Sequence, residues 1–270
     1  LSISYALRNG LENVLEQRTI VREHKNEALE LMGVNQTPEA IKQLWKRLPL
    51  SFFSNAQPSE IARYSQAMIK YPADKALILL DENTSKGSSD LFVYMKDKPG
   101  LFVTLFNTLA SLQISVQQAH ISKTKDGYVV ESLKILDYDH HPIRTAGRRE
   151  RIKQKLKQVL FENRKLSKKR QNSNLGSFVS EPKVEFLHSR KKDRTLISVT
   201  ALDNPQFMSH FCSGFRRFEL NIHSAKITTV GEQVDNVFLV SDKEGQSLDE
   251  DNKQALKSFF VDFIKEQAPA

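Results

Sequence analysis

A loop-and-helix signature occurs twice in this chain of 270 residues, and its spacing constrains the fold more than any other feature. Asp97-Lys98-Pro99-Gly100-Leu101-Phe102 is answered 106 residues later by Asp203-Asn204-Pro205-Gln206-Phe207-Met208. The same offset holds well beyond the loop. Leu91, Val93 and Met95 align with Ile197, Val199 and Ala201; Leu105 aligns with Phe211, Leu112 with Phe218, Ile114 with Leu220, Ala119 with Ala225 and Ile121 with Ile227. Apolar positions kept in register over such a span mark a repeated folded unit, because a shared tripeptide alone would lose the periodicity.

Each copy reads as strand, tight loop, helix, strand, hairpin, strand, helix. Alternation in Asp90–Met95 gives one apolar face. Asp followed by Pro is a helix start, in which the carboxylate can accept from first-turn amides and proline forfeits only an orphan donor. Leu101, Phe102, Leu105, Phe106, Leu109 and Leu112 then form a helical stripe, as do Phe207, Met208, Phe211, Phe215 and Phe218. Lys125-Asp126-Gly127 signals a hairpin between Ile114–Ser122 and Tyr128–Asp137. The second unit has no room for a strand after its last helix, since only Ala268-Pro269-Ala270 follow Gln267. Each unit is instead preceded by a spare strand, Ala76–Leu80 and Val184–His188. A short polar connection would set each antiparallel beside strand one, giving a permuted β-βαββα order.

Ahead of the repeat, residues 1–33 read as a helix or a broken pair ending at Gly33. Thr37-Pro38-Glu39 and Gln57-Pro58-Ser59-Glu60 each open a further helix, stopped at Pro49 and at Tyr71-Pro72. The predicted organisation is a helical segment over 1–74, a first unit over 75–163, a basic linker over 164–182 and a second unit over 183–270. Net charge is +8, yet Arg144–Arg170 alone holds twelve Lys/Arg against Glu150 and Glu162, so the remainder carries −2. The high pI is thus local, and it reads as a solvated helix face running into a linker, with nucleic acid not expected as a partner. A single cysteine, Cys212, excludes an internal disulfide and fits a reducing, cytoplasmic setting. Its place on an apolar helix face assigns it to packing.

Catalytic chemistry is hard to find. Asp137-Tyr138-Asp139 has the paired carboxylates that hold magnesium in nucleotidyltransferases. The Gly-Ser turn such sites need is some fifty residues away at Gly87-Ser88, so the motif reads as a strand end. Neither a P-loop nor G-x-G-x-x-G nor G-x-S-x-G is present. No His is followed by Asp, which removes the paired signature of metal-dependent phosphohydrolases. The loop offers two readings. A helix N-terminus with Gly100 could take the carboxylate of a small zwitterion such as an amino acid, or the turn could be an ordinary capped one.

Two copies of strand–Asp-x-Pro–helix–strand–strand–helix resemble tandem ACT domains. Ala225 to Phe238, together with Leu44-Trp45, Phe52-Phe53, Gln57-Pro58 and Ile61-Ala62 in that order, is similar to the C-terminal region of bifunctional PII uridylyltransferase/uridylyl-removing enzymes. The resemblance implies an α+β chain with two ferredoxin-like ACT domains after a helical segment. It implies a regulatory region that senses L-glutamine and sets the balance of UMP addition to, and removal from, the signalling protein PII. Magnesium would serve the parent's nucleotidyltransferase and HD hydrolase domains, which are expected upstream of Leu1. Neither catalytic signature occurs here, so no catalytic residue and no metal ligand is carried over. The glutamine loops it implies are Asp97, Lys98, Pro99, Gly100 and Leu101 in the first unit and Asp203, Asn204 and Pro205 in the second. Gln206 replaces the family's glycine, which leaves glutamine to bind at the first loop only, or between the domains with the second loop as a wall. The alternative function is a stand-alone adaptor using the ACT pair and the basic arm for protein or nucleic-acid contacts.

Overall fold

The computed structural model describes residues 12–33, 37–71, 75–83, 87–162, 183–187, 189, 192–202, 207–230 and 233–266. In chain order these form helices α1 (Glu12–Met32), α2 (Pro38–Arg47), α3 (Leu50–Asn55) and α4 (Pro58–Lys70), then strands β1 (Leu77–Asn83) and β2 (Ser88–Lys96). The first unit continues with α5 (Leu101–Ser111), β3 (Ser115–Lys123), β4 (Tyr128–Leu136) and α6 (Ala146–Glu162). The second comprises β5 (Lys183–Leu187), β6 (Thr195–Leu202), α7 (Phe207–Arg217), β7 (Asn221–Val230), β8 (Gln233–Ser241) and α8 (Glu250–Glu266). The part of the expected first helix in residues 1–11, and all of the basic linker 164–182, lie outside the described residues.

The expected α+β architecture of two ferredoxin-like units is present, and the permuted order is borne out. β1 lies antiparallel beside β2, with Ile78 opposite Val93 and Leu80 opposite Leu91. β5 takes the same place beside β6, with Val184 opposite Val199 and Leu187 opposite Leu196. Both units join one eight-stranded antiparallel sheet in the order β1-β2-β4-β3-β7-β8-β6-β5. The seam is β3 against β7, where Ala119 faces Ile227, His120 faces Lys226 and Ile121 faces Ala225. Lys226 is the 106-residue equivalent of His120, so this pair lies on the local two-fold relating the halves.

The repeat reaches into backbone detail. Gln113 and Glu219, again 106 apart, are both non-glycine residues in the left-handed region, at φ 58° and 52°, where a helix turns into a strand. Register shifts recur at equivalent points, between Val116 and Gln118 and between Ile222 and Ser224. The Ser89 hydroxyl accepts from the Ile143 amide at 2.8 Å, and Thr195 accepts from Leu248 at 2.9 Å. The offset shortens to 105 after the β7–β8 turn, which is one residue tighter.

Helices α5 to α8 share one face of the sheet over a single core that runs through both halves. α5 packs on α7 across the two-fold, and Phe102 approaches Phe215 and Phe238, each with ring centroids 6.2 Å apart. The other face of the first half is covered by the helical segment. There Tyr64 stacks on Phe92 at 3.9 Å, and Leu77, Tyr94 and Val130 join the cluster of Phe53, Ile61 and Met68. The sequence patterning left Leu50–Asn55 unassigned; it forms the short helix α3, which buries Phe52 and Phe53. Thr37 caps α2 through its hydroxyl, and Glu60 accepts from the Gln57 amide at 2.9 Å at the start of α4. Among the described residues no helix is long and apolar enough to cross a membrane.

A buried charge cluster fixes the helical segment to the sheet. The Lys134 ammonium on β4 lies between Glu60 of α4 and Asp90 of β2, donating to Asp90 at 2.6 Å. Arg63 reaches Asp81 at 2.6 Å from the same helix. Removing one partner from such a set leaves an uncompensated charge in low dielectric, which costs far more than the net worth of the pair. We expect Lys134→Ala to destabilise the chain by about 3 kcal/mol. Equilibrium urea unfolding checks this, and a shift below half a unit of free energy in kcal/mol would show the cluster to be water-screened.

Candidate functional site

The Asp97–Leu101 loop leaves the end of β2 and enters α5 in a way that corrects one detail. Asp97 does not cap the helix. Its carboxylate pairs with Lys123 Nζ at 2.7 Å, while its amide donates to the Gly127 carbonyl at 2.9 Å. Three residues, Lys98, Pro99 and Gly100, then separate it from α5, and a short side chain that far back cannot reach the first-turn amides. Gly100 takes the N-cap position in left-handed geometry, at φ 73° and ψ 11°, without a side-chain cap bond. A Cβ at Gly100 would meet nothing within 4 Å, so glycine is required there by its positive φ and not by crowding. The Gly100 carbonyl accepts from Thr104 at 2.9 Å, which closes the first helical turn.

The remaining loop residues turn outward and toward α6. Pro99 and Gly100 are exposed and Leu101 is buried in the core. The Lys98 ammonium donates to the Leu160 carbonyl in the last turn of α6, and partial burial lowers its pKa. The loop is therefore tied at its base to β3 and at its tip to α6. Its second copy, Asp203, Asn204 and Pro205 with Gln206, lies outside the described residues.

One residue that motif searching passed over belongs to this site. Glu131 on β4 is only 1% exposed, and neither carboxylate oxygen has a hydrogen-bond partner. It stands between Val93 of β2 and Ile121 of β3, both on the apolar face. Burial first, and the neighbouring Asp97 charge second, push its pKa up to about 8. The signal was legible in the parity of β4: Val129, Glu131, Leu133 and Ile135 alternate together, so a carboxyl stands where the pattern demands an aliphatic. In the second half the same station, opposite Val199 and Ile227, is held by Asn236.

Other candidates resolve into structure. Asp137 binds Arg148 at 2.9 Å, and Asp139 accepts from the His141 amide at 3.1 Å, so the D-x-D forms the turn after β4. No group of three or more potential metal-binding side chains occurs among the described residues. Cys212 is fully buried and its thiol pKa is raised by desolvation, as packing requires. His120, enclosed at the seam, is lowered to about 4 by burial and then by Lys226, so it is neutral.

Glu131 has a consequence for stability against pH. Its carboxyl titrates near 4.5 in the unfolded chain and near 8 when folded. Between those values the folded state holds a proton that the unfolded state has lost, so stability falls as pH rises, at up to about 1.4 kcal/mol per pH unit from this group. Glu131→Gln has no such proton to keep. We expect the wild-type chain to lose stability relative to Glu131→Gln as pH goes from 5 to 8, measured by urea unfolding at several pH values. Parallel curves for the two proteins would show Glu131 to be solvated.

Comparison with known proteins agrees with this architecture. Residues 16–67 match the uridylyltransferase GlnD fifth domain, and residues 89–160 match the ACT domain. The chain is 30% identical to the bifunctional uridylyltransferase/uridylyl-removing enzyme of Vibrio atlanticus (strain LGP32), over 99% of this chain and 31% of that protein. The enzyme of the same name from Vibrio cholerae is 30% identical over 100% of this chain and 31% of its own length. That of Pseudoalteromonas translucida is 32% identical over 94% and 29%. The resemblance thus runs along the whole chain, and the chain spans about a third of the length of these relatives.

Proposed function

We propose that this chain is the glutamine-sensing regulatory region of a bifunctional uridylyltransferase/uridylyl-removing enzyme, shifting the balance of UMP addition to and removal from the signalling protein PII. The nucleotidyl transfer, the hydrolysis and the magnesium they need would belong to the parent's other domains. The ACT match over residues 89–160 supports an amino-acid ligand. The observation that carries the reading is Glu131.

A buried carboxyl without a partner costs several kcal/mol unless it stays protonated or meets a cation. An amino acid supplies that cation. Its ammonium would lie between Asp97 and Glu131, while its carboxylate would meet the amides of Phe102 and Val103 in the first turn of α5, those of Leu101 and Thr104 being bonded to the Lys98 and Gly100 carbonyls. Asp97 already shares Lys123, so the incoming ammonium would find a field set by three groups. Ionisation of Glu131 would follow, and one proton would leave with each ligand bound near neutral pH. The side-chain amide of glutamine adds no charge; glutamate would bring a second anion toward two carboxyls and bind more weakly. Asn236 cannot play the same part in the second half, since an amide has no charge to offer. That agrees with Gln206 standing where the first loop has its glycine.

Calorimetry of the chain with L-glutamine at pH 7 tests this in buffers of different ionisation heat. Saturable binding with release of close to one proton is expected, and Glu131→Gln should bind with no proton release. Gly100→Val should weaken binding by about 1–3 kcal/mol, because a branched residue is strained at positive φ, whereas Gly100→Asn should keep most of the affinity. No heat from folded protein at millimolar glutamine would overturn the proposal. Binding without proton release would remove Glu131 from it.

A further inference from the structure

The surface between α6 and the edge of the sheet carries a second site that the glutamine reading does not use. Arg151, Gln154, Lys155, Gln158 and Phe161 follow the spacing that puts residues on one side of a helix. The opposite side of α6, through Ile152, Leu156, Val159 and Leu160, is buried in the core. The basic side faces Lys75, Ala76 and Tyr71, where α4 ends and β1 begins, and with Lys157 these residues enclose an open groove of about 630 Å³. That volume falls within the range of small-molecule sites.

The lining has an unusual charge balance. Lys75, Arg151, Lys155 and Lys157 supply four cations from two separate elements, and none of the described lining residues is acidic. The other basic side chains of this helix are engaged: Arg148 with Asp137, Arg149 with the Ile143 carbonyl, and Lys153 with Glu150. Lys75, Arg151 and Lys155 form no salt bridge with any described residue, and Lys157 is shared only at longer range with the exposed Glu150, so the charge of this set faces the groove. Phe161, which is 55% exposed, lies in the same groove with Tyr71. A large apolar ring left in water beside unpaired cations has no packing role.

We propose that this groove binds a nucleoside polyphosphate, with the phosphates on Lys75, Arg151, Lys155 and Lys157 and the base stacked on Phe161. Cations flanking an exposed aromatic suit a ligand that is anionic at one end and flat at the other. Gln154 and Gln158 provide amides of both hydrogen-bonding senses for the sugar or the base edge. The size of the groove favours one nucleotide over a longer strand, which would need a track of charge beyond it.

The test is equilibrium binding of the whole chain to ATP, UTP, inorganic tripolyphosphate and a 20-nucleotide single-stranded RNA, each at fixed ionic strength. Saturable binding of a nucleotide at submillimolar concentration is expected, with tripolyphosphate competing more weakly. Arg151→Glu with Lys155→Glu should weaken the nucleotide at least tenfold, and Lys75→Glu, on the opposite wall, should do so independently. Phe161→Ala should weaken the nucleotide about tenfold and leave tripolyphosphate unchanged. Neutral variants Arg151→Gln and Lys155→Gln give the same reading if charge reversal disturbs folding. The proposal is overturned by absence of nucleotide binding, by binding indifferent to these substitutions, or by RNA binding orders of magnitude tighter than either nucleotide.

Discussion

Pairing of β3 with β7 is the interaction on which the rest of this molecule depends. Without it each unit would be a four-stranded sheet with an exposed edge, and an unpaired edge is an invitation to association. With it the two edges cancel, and one sheet of eight strands results. The seam also places α5 beside α7, so the phenylalanines of both halves close a common core across it. Two units too small to bury much surface separately gain a core of adequate size together. His120 and Lys226 face each other on the local two-fold, and the seam accepts this pair because Lys226 keeps its ammonium in solvent while the half-buried His120 is neutral.

The symmetry made by that seam is then broken by the helical segment. Its helices cover one face of the first half alone, where Phe92, Tyr94 and Val130 are apolar. The equivalent stations in the second half are Ser198, Thr200 and Asp235, and Thr200 donates to Asp235 at 2.9 Å. A polar face of that kind has no reason to be covered. The charge cluster of Lys134 with Glu60 and Asp90 adds register to the packing, since it is satisfied only when α4 sits at one place along β2 and β4. The Arg47 guanidinium holding Asp126 at 2.8 Å, and its carbonyl accepting from the Lys125 amide, fix the far end at the β3–β4 turn.

Much of this was legible in the sequence because it rests on periodicity and on local geometry. The repeat offset, the helix starts at Thr37 and Gln57, the hairpin at Lys125–Gly127 and the permuted edge strands all follow from short-range rules. The seam itself does not, because the side chains of β3 look the same whether its edge meets a partner or solvent. The capping of α5 was misread for a related reason. Asp-x-Pro suggests a carboxylate cap, but the left-handed turn at Gly100 lengthens the loop and releases Asp97 to Lys123. Glu131 was visible as a fault in the apolar alternation of β4, although only the fold shows that no partner answers it. The short helix α3 escaped because six residues cannot carry a helical period.

The two halves have diverged in a single direction. Gly100 is answered by Gln206 and Glu131 by Asn236, so both features that suit a zwitterion are kept in the half that the helical segment clasps. Among the described residues that half alone packs against the helical segment. Lys98 sharpens the point. From the tip of the loop it holds the carbonyl of Leu160, and the next residue, Phe161, lines the basic groove. A ligand that moved the loop would release the end of α6, and one that fixed α6 would hold the loop. Coupling of this sort is reciprocal by necessity, so each site would feel the other's occupant to the same degree. One contact made by one side chain, Lys98 on the Leu160 carbonyl, is thus the physical link between the loop and the helix that bears the groove.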